Sequence, residues 1–335
     1  MVVRLWKTVL GASVLFSGLR CNLISAVVGA SHGVSPSINS KNQVCYDDGC
    51  SDMADTDGNN ILLLEHINLN HVKGRHDLVK AFYFDALGFA IDNRRVQNLE
   101  KGSGTLWANI GISQFHLPQD EVAQVIPGKI VLTYPDLSIV KEHLSNADPV
   151  LQSTKFSWEE QKETGNLLVT CPWGNRFEII QGDDRDPRGE QNDNLGGARS
   201  LGCSLAEVVV HVPAGTNLPG VARFYEAVLG ARAEATSPGR ARVRLGPRQR
   251  LTFAALPAGA PPPRPYDGWH LAVYVRDLPG AFARADALGA VFVNPRFAGT
   301  DAADTLEEAV RIQQFRLRDV VDPEDPAAGA VLRLE

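Results

Sequence analysis

Aliphatic runs and helix-spaced apolar segments alternate along this chain in a pattern that repeats. Ile61 to Val72 is rich in aliphatic positions and predicts a strand. The next apolar residues, within Leu78–Phe89, recur at helical spacing, and Gly88 stands where a left-handed helix stop is wanted. Leu205 to Val212 and then Val221 to Ala231 repeat the arrangement, with Phe82-Tyr83 and Leu87-Gly88 answered by Phe224-Tyr225 and Leu229-Gly230. Three short strand candidates follow each helix, at 89–97, 104–109 and 112–117, then at 231–236, 240–245 and 249–256. The pattern restarts inside each copy. Ile130–Leu137 leads into a helix from Ser138 to Leu144, and His270–Leu278 leads into one from Ala281 to Leu288. Extended segments at Arg176–Gln181 and Ala330–Glu335 end the copies. The reading is α+β, with four βαβββ modules, two per copy. A single module leaves one sheet face open, and pairing two makes a curved sheet whose concave face can line a cleft.

Polar stretches divide the chain. Residues 31–60 and 183–202 lack an apolar period and read as linkers around two domains, 61–182 and 203–335. The first 30 residues differ from the rest. Arg4 and Lys7 precede the apolar stretch Thr8 to Leu19, and a second apolar stretch ends in Gly29-Ala30-Ser31. That order is the layout of a removable leader, which implies the secretory pathway or an organelle, a plastid included. Arg20 and Asn22 interrupt the run, so a clean spanning helix is not available. Composition fits a globular chain, with 44% hydrophobic and 21% charged residues. The net charge of −6 and the lack of a basic run argue against nucleic acid as a partner. Five cysteines form no CxxC pair, which argues against a zinc ribbon. Cys45 and Cys50 flank a short loop and could bridge, whereas Cys171 and Cys203 read as core residues.

Several segments resemble the vicinal oxygen chelate superfamily, which includes glyoxalase I, bleomycin resistance proteins and extradiol dioxygenases. They are Glu65-His66-Ile67-Asn68-Leu69, Phe82-Tyr83 with Leu87-Gly88-Phe89, Tyr134-Pro135-Asp136-Leu137, and Cys171-Pro172-Trp173-Gly174-Asn175-Arg176-Phe177-Glu178-Ile179. The last is similar to the family's Asp-Pro-x-Gly-Asn-x-x-Glu-Leu hairpin, with Cys-Pro in place of Asp-Pro. The resemblance spans roughly 61–182 and 203–335. It implies a small-molecule substrate and a divalent metal: iron, manganese, nickel, cobalt or zinc. Family ligands come from the first and last strands of each module, which gives His66, His116, Lys129 and Glu178 in the first copy.

Strand parity supports those positions: His66 shares a face with Asn68 and Asn70, His116 with Gln114, and Glu178 with Arg176. Two imidazoles and a carboxylate suit a facial triad of His66, His116 and Glu178. Glu178 would also carry a proton, and Asn68, Asn70, Gln114 and Arg176 would orient substrate. Lys129 opens an alternative, because an ammonium could pair with Glu178 and replace a metal, or itself act as acid, base or anion anchor. His71 and His76 read as surface residues, and His143 as exposed on a helix. The second copy offers Glu207, Thr252, His270 and Arg333, with a Glu207–Arg333 salt bridge in place of a metal. Residues 300–311 read as a helical insertion over a cleft. Two functions follow: a metal-dependent lyase, isomerase or dioxygenase on a small oxygen-rich molecule, or a metal-free binding protein of the bleomycin-resistance type. A homo-oligomer is compatible with either.

Overall fold

The structure is a computed structural model that describes residues 1–5, 37–38, 43–46, 49–52, 59–183, 185–236, 239–297 and 303–335. Beyond Leu5 the expected leader lies outside the described residues. So do the Cys45 and Cys50 side chains, although the hairpin there sets the two residues opposite each other. No helix among the described residues is long and apolar enough to cross a membrane.

The fold is mixed α and β, with two large sheets. The strands used below are β1 (Val2–Leu5), β2 (Ile61–Asn68), β3 (Ala90–Ile91), β4 (Leu106–Ile110), β5 (Ser113–Leu117), β6 (Gly128–Tyr134), β7 (Ser157–Glu160), β8 (Leu167–Thr170) and β9 (Arg176–Gln181). They continue as β10 (Ser204–Val212), β11 (Ala233–Thr236), β12 (Arg240–Arg244), β13 (Arg250–Ala255), β14 (His270–Val275), β15 (Gln314–Arg316), β16 (Asp319–Val321) and β17 (Ala330–Arg333). The first sheet runs β15-β1-β14-β2-β5-β4-β3, and the second runs β7-β8-β9-β6-β10-β13-β12-β11. The helices are α1 (His76–Val79), running into a wider helical segment Lys80–Ala86, then α2 (Val96–Lys101), α3 (Leu137–Ser145), α4 (Leu218–Leu229), α5 (Leu278–Ala287) and α6 (Leu306–Ile312). Gly88 and Gly230 stop the two Phe-Tyr helices at φ 63 and 61, as the repeat predicted.

The first three modules form as read, the fourth ends differently, and the modules pair differently from the expected 61–182 and 203–335 domains. Strand β2 of the first module lies antiparallel to β14 of the fourth, and β6 of the second lies antiparallel to β10 of the third. Each sheet therefore draws on both halves of the chain. Phe82 lies 5.5 Å from Phe177 on the second sheet, while its neighbour Tyr83 lies 5.6 Å from Phe115 on the first. Tyr225 likewise meets Phe253 at 5.8 Å, and Phe282 meets Phe315 at 5.3 Å. One apolar core joins both sheets and the helices between them. Burying both helix faces in this way removes more apolar area from water than covering one face would. The polar faces of the two sheets consequently look away from the core on opposite sides.

In the fourth module the expected closing strand, Ala330–Glu335, stands largely outside the first sheet, and β1 takes the parallel place beside β14. Strand β17 pairs with β16, Leu334 N donates to Arg318 O at 2.7 Å, and Leu271 N donates to Glu335 O at 3.0 Å. Strand β1 is parallel to β14 (Val2 opposite Ala272) and antiparallel to β15 (Val2 opposite Arg316).

Between the third and fourth modules, Arg223 of α4 holds Asp322 with hydrogen bonds of 2.9 and 2.6 Å, and Asn217 adds a third at 2.9 Å. Arg223 brings the Asp322 carboxyl down to about 2, against some opposing desolvation. A depressed carboxyl pKa contributes stability above its unfolded value, near 3.9, and loses it as pH falls toward 2. The stability difference between wild type and Asp322→Asn in urea unfolding is therefore expected to be full at pH 5 and to shrink between pH 4 and pH 2. A constant difference would place the effect elsewhere.

Helix α6, in the 300–311 insertion, packs on α5 and on β15. Two further expectations are corrected. His71 and His76 are buried, in edge-on contact with ring centroids 4.9 Å apart, because the bridge of Gln119–Asp120 to His71–Val72 folds over them. His143 is half-buried on α3 rather than exposed, with its Nδ1 2.8 Å from the Asp85 carbonyl, and Cys171 and Cys203 are buried thiols.

Candidate metal centre

The outer face of the first sheet gathers Glu65, His66 and His116, with one candidate ligand atom from each lying within 4.8 Å of the others. Strand parity alone would turn Glu65 away from His66. A β-bulge prevents this: Ala272 faces His66 and the next residue, Val273, faces Leu64, so Glu65 has no partner across the strand pair. The extra residue re-aims the carboxylate onto the face that His66 uses.

Each imidazole has one nitrogen held and one lone pair free. The Glu65 carboxylate accepts from His66 Nδ1, which leaves the lone pair on Nε2. His116 Nε2 donates to Gln114 Oε1 at 3.0 Å. Gln114 cannot present its amide the other way, because its nitrogen donates to Asp92 at 2.8 Å and to Asn109 at 2.6 Å. The free lone pair of His116 is therefore on Nδ1. Such outer partners set the tautomer and orientation of metal-binding histidines. Burial lowers the pKa of both imidazoles well below the usual value, with Arg4 and Arg316 adding to the effect on His66, and His66 and Arg4 to that on His116. Both rings are therefore neutral at pH 7, and the His66–Glu65 contact is a hydrogen bond rather than an ion pair.

The rings form a stack. His66 and His116 lie 3.7 Å apart, Trp107 lies 4.6 Å beyond His116, and the Arg95 guanidinium sits 3.8 Å over Trp107. His270 comes from β14 with its ring 5.7 Å from His66, and its pKa too is lowered, first by burial and then by His66. Arg4 of β1 reaches Glu65 at 3.3 Å. The donor set fits a divalent ion of the zinc or iron class in type and neutrality.

The set His66, His116, Lys129 and Glu178 does not converge. The histidines stand on the first sheet, and Lys129 and Glu178 on the second, because the first and second modules do not share a sheet. On that second face Lys129 pairs with Glu178, and Asn166 donates to the same carboxylate at 2.8 Å. Burial pushes the Glu178 carboxyl up, but the Lys129 and Asn166 hydrogen bonds outweigh it and the net shift is downward. Glu207 accepts from Thr252. Arg333 pairs with Asp319 at 2.9 Å instead of the expected Glu207, since the two lie on different sheets.

The other expected substrate contacts are engaged within the protein. Gln114 is a positioning residue for His116. Asn70 bonds Asp120 at 3.0 Å and faces Asn68 at 3.5 Å, and Arg176 bonds the Gly128 carbonyl from the second sheet. Sequence reasoning missed Glu65 because alternation hid it, and set His270 in a separate domain because adjacent modules were paired. Replacing Gln114 with leucine is expected to weaken metal binding about 10-fold by freeing the His116 ring. It should also cost about 1–3 kcal/mol by removing the partner of the Asn109 amide oxygen and of the imidazole N–H. Calorimetric zinc titration and urea unfolding check the two effects.

Paired βαβββ modules, with a histidine–carboxylate cluster on one outer sheet face, define the class of this molecule. Residues 209–310 match the family model of the Glyoxalase-like domain. No curated protein matches the chain. Among solved structures, a candidate dioxygenase from Bacillus subtilis is similar over 71% of this chain and 78% of its own, with 14% identity and a TM-score of 0.45. A bleomycin-binding protein from Streptomyces verticillus, solved with copper(II)-bleomycin, is similar over 36% of this chain and 97% of its own, at 18% identity and a TM-score of 0.24. Lactoylglutathione lyase from Agrobacterium tumefaciens is similar over 35% and 92%, at 16% identity and a TM-score of 0.24.

Proposed function

We propose that this protein is a metal-dependent enzyme of the vicinal oxygen chelate type, acting on a small molecule with neighbouring oxygens. The observation that carries the reading is the cluster of Glu65, His66 and His116, whose two imidazoles are neutral and whose ligand atoms lie within 4.8 Å. These three residues would hold a divalent ion on the outer face of the first sheet. When bound, such an ion supplies Lewis-acid stabilisation of negative charge on substrate oxygens. The chain's own residues do the rest. Gln114 and Asp92 fix His116, and Glu65 orients His66. His270, neutral and edge-on to His66, is placed to carry a proton. Trp107 and Arg95 wall the stack beside His116.

Elemental analysis of the protein purified without chelator tests the reading. One divalent transition ion per chain is the expected result. A chain that holds no such ion, even after equilibration with zinc, iron and manganese, would sink it.

The second face favours a different role, as a metal-free polar cup, because the Lys129 ammonium already neutralises Glu178 there. That face would bind a ligand by hydrogen bonds and charge alone. Copper, nickel or zinc bound at Glu178 would exclude it.

A further inference from the structure

The Arg4–Glu65 pair joins the candidate metal centre to a strand from the far end of the chain. Strand β1 is held on both sides, by β14 and β15, and Leu317 N donates to Met1 O at 2.7 Å. Its register sets Arg4 beside Tyr274, on the outer face of the sheet. From there the guanidinium meets Glu65 through one terminal nitrogen, while its Nε is buried with no hydrogen-bond partner. A cation thus already occupies the only carboxylate of the Glu65, His66 and His116 cluster. A divalent ion at the same place would meet an adjacent positive charge and would have to share or displace it. Both events disfavour loading.

We propose that β1 is an internal strap that keeps the centre in a low-affinity state, with Arg4 competing with the metal for Glu65. The inference rests on the metal reading given above and concerns the regulation of that site. Withdrawing Val2–Leu5 from between β14 and β15, by processing or by displacement, removes the competitor. It also leaves both neighbouring strand edges unpaired in one step. Loading is thereby coupled to the state of the strap rather than to the donor set alone. The charge of Arg4 is the active feature, and the strand is the device that delivers it.

The test is zinc titration by calorimetry on the full chain and on Arg4→Met, Arg4→Lys and His66→Ala. Methionine keeps the apolar stem and the strand but removes the charge, and lysine keeps the charge. Hydrogen exchange of the β14 amides reports whether β1 remains docked. Arg4→Met is expected to bind zinc about 10-fold more tightly than wild type, with Arg4→Lys close to wild type. A chain lacking residues 2–5 should match or exceed Arg4→Met, with faster exchange in β14. If wild type and Arg4→Met bind equally, through a site that His66→Ala abolishes, the strap inference falls and the metal reading stands. If none of the variants binds a metal, both fall.

Discussion

Replacing His66 with alanine is expected to weaken zinc binding by at least about 100-fold, while Glu178→Gln leaves it within about twofold. The two substitutions separate the centre seen in the structure from the one that spacing along the chain suggests. His66 supplies a neutral nitrogen ligand at the centre of the stack, between His116 and His270. Its loss removes a donor and also frees the Glu65 carboxylate that it holds. Glu178 sits on the other sheet, engaged by Lys129 and Asn166. Its amide variant keeps the shape, so the effect should be confined to the second face. A Glu178→Gln variant that loses zinc as completely as His66→Ala would return the carboxylate to the metal centre and contradict the sheet order. Calorimetry with circular dichroism as a fold control makes the comparison.

The Gly128→Ala variant is expected to lose about 3 kcal/mol of stability or more, at the upper end of overpacking effects. Gly128 opens β6 directly against Val210 of β10, and a Cβ there would overlap the carbonyl oxygen of Val209. Backbone cannot yield as the end of a flexible side chain can, so the strand pair itself must shift. That pair joins the second module to the third. A sheet built within residues 61–182 alone would place no β10 carbonyl near Gly128, and the substitution would then be nearly neutral. Urea unfolding distinguishes the outcomes, and a stability unchanged within error would argue against the interleaved pairing.

The distance between the expected and observed sites has a definite physical origin. His66 and His116 were legible because each alternates with apolar neighbours, Ile67 and Phe115, that face the core. Glu65 was not, because a bulge is a property of two strands in register and β14 lies some two hundred residues away in sequence. Gln114 was read as a substrate contact since its outward parity is correct. Only the partners Asp92 and Asn109, brought in from another loop and strand, show that its hydrogen bonds are already used. Arg4 lay within a segment whose composition reads as a leader, and its meeting with Glu65 depends on a strand addition that no local pattern announces.

The sequence by itself determined the repeating unit. Period-2 and helical spacing, the two Phe-Tyr/Leu-Gly helices and the glycine stops specify four βαβββ modules, since local backbone preferences and amphipathic faces act within each module. The tertiary structure decided which modules share a sheet, and with that which polar residues share a face. A βαβββ unit has an open edge and an open face that any sister unit can complete, so local pattern does not choose among partners. The choice appears only in the strand registers, β2 against β14 and β6 against β10, which join the first module to the fourth and the second to the third. It sets His66 and His116 beside Glu65 and His270, and leaves Lys129 and Glu178 to each other on the far side of the core.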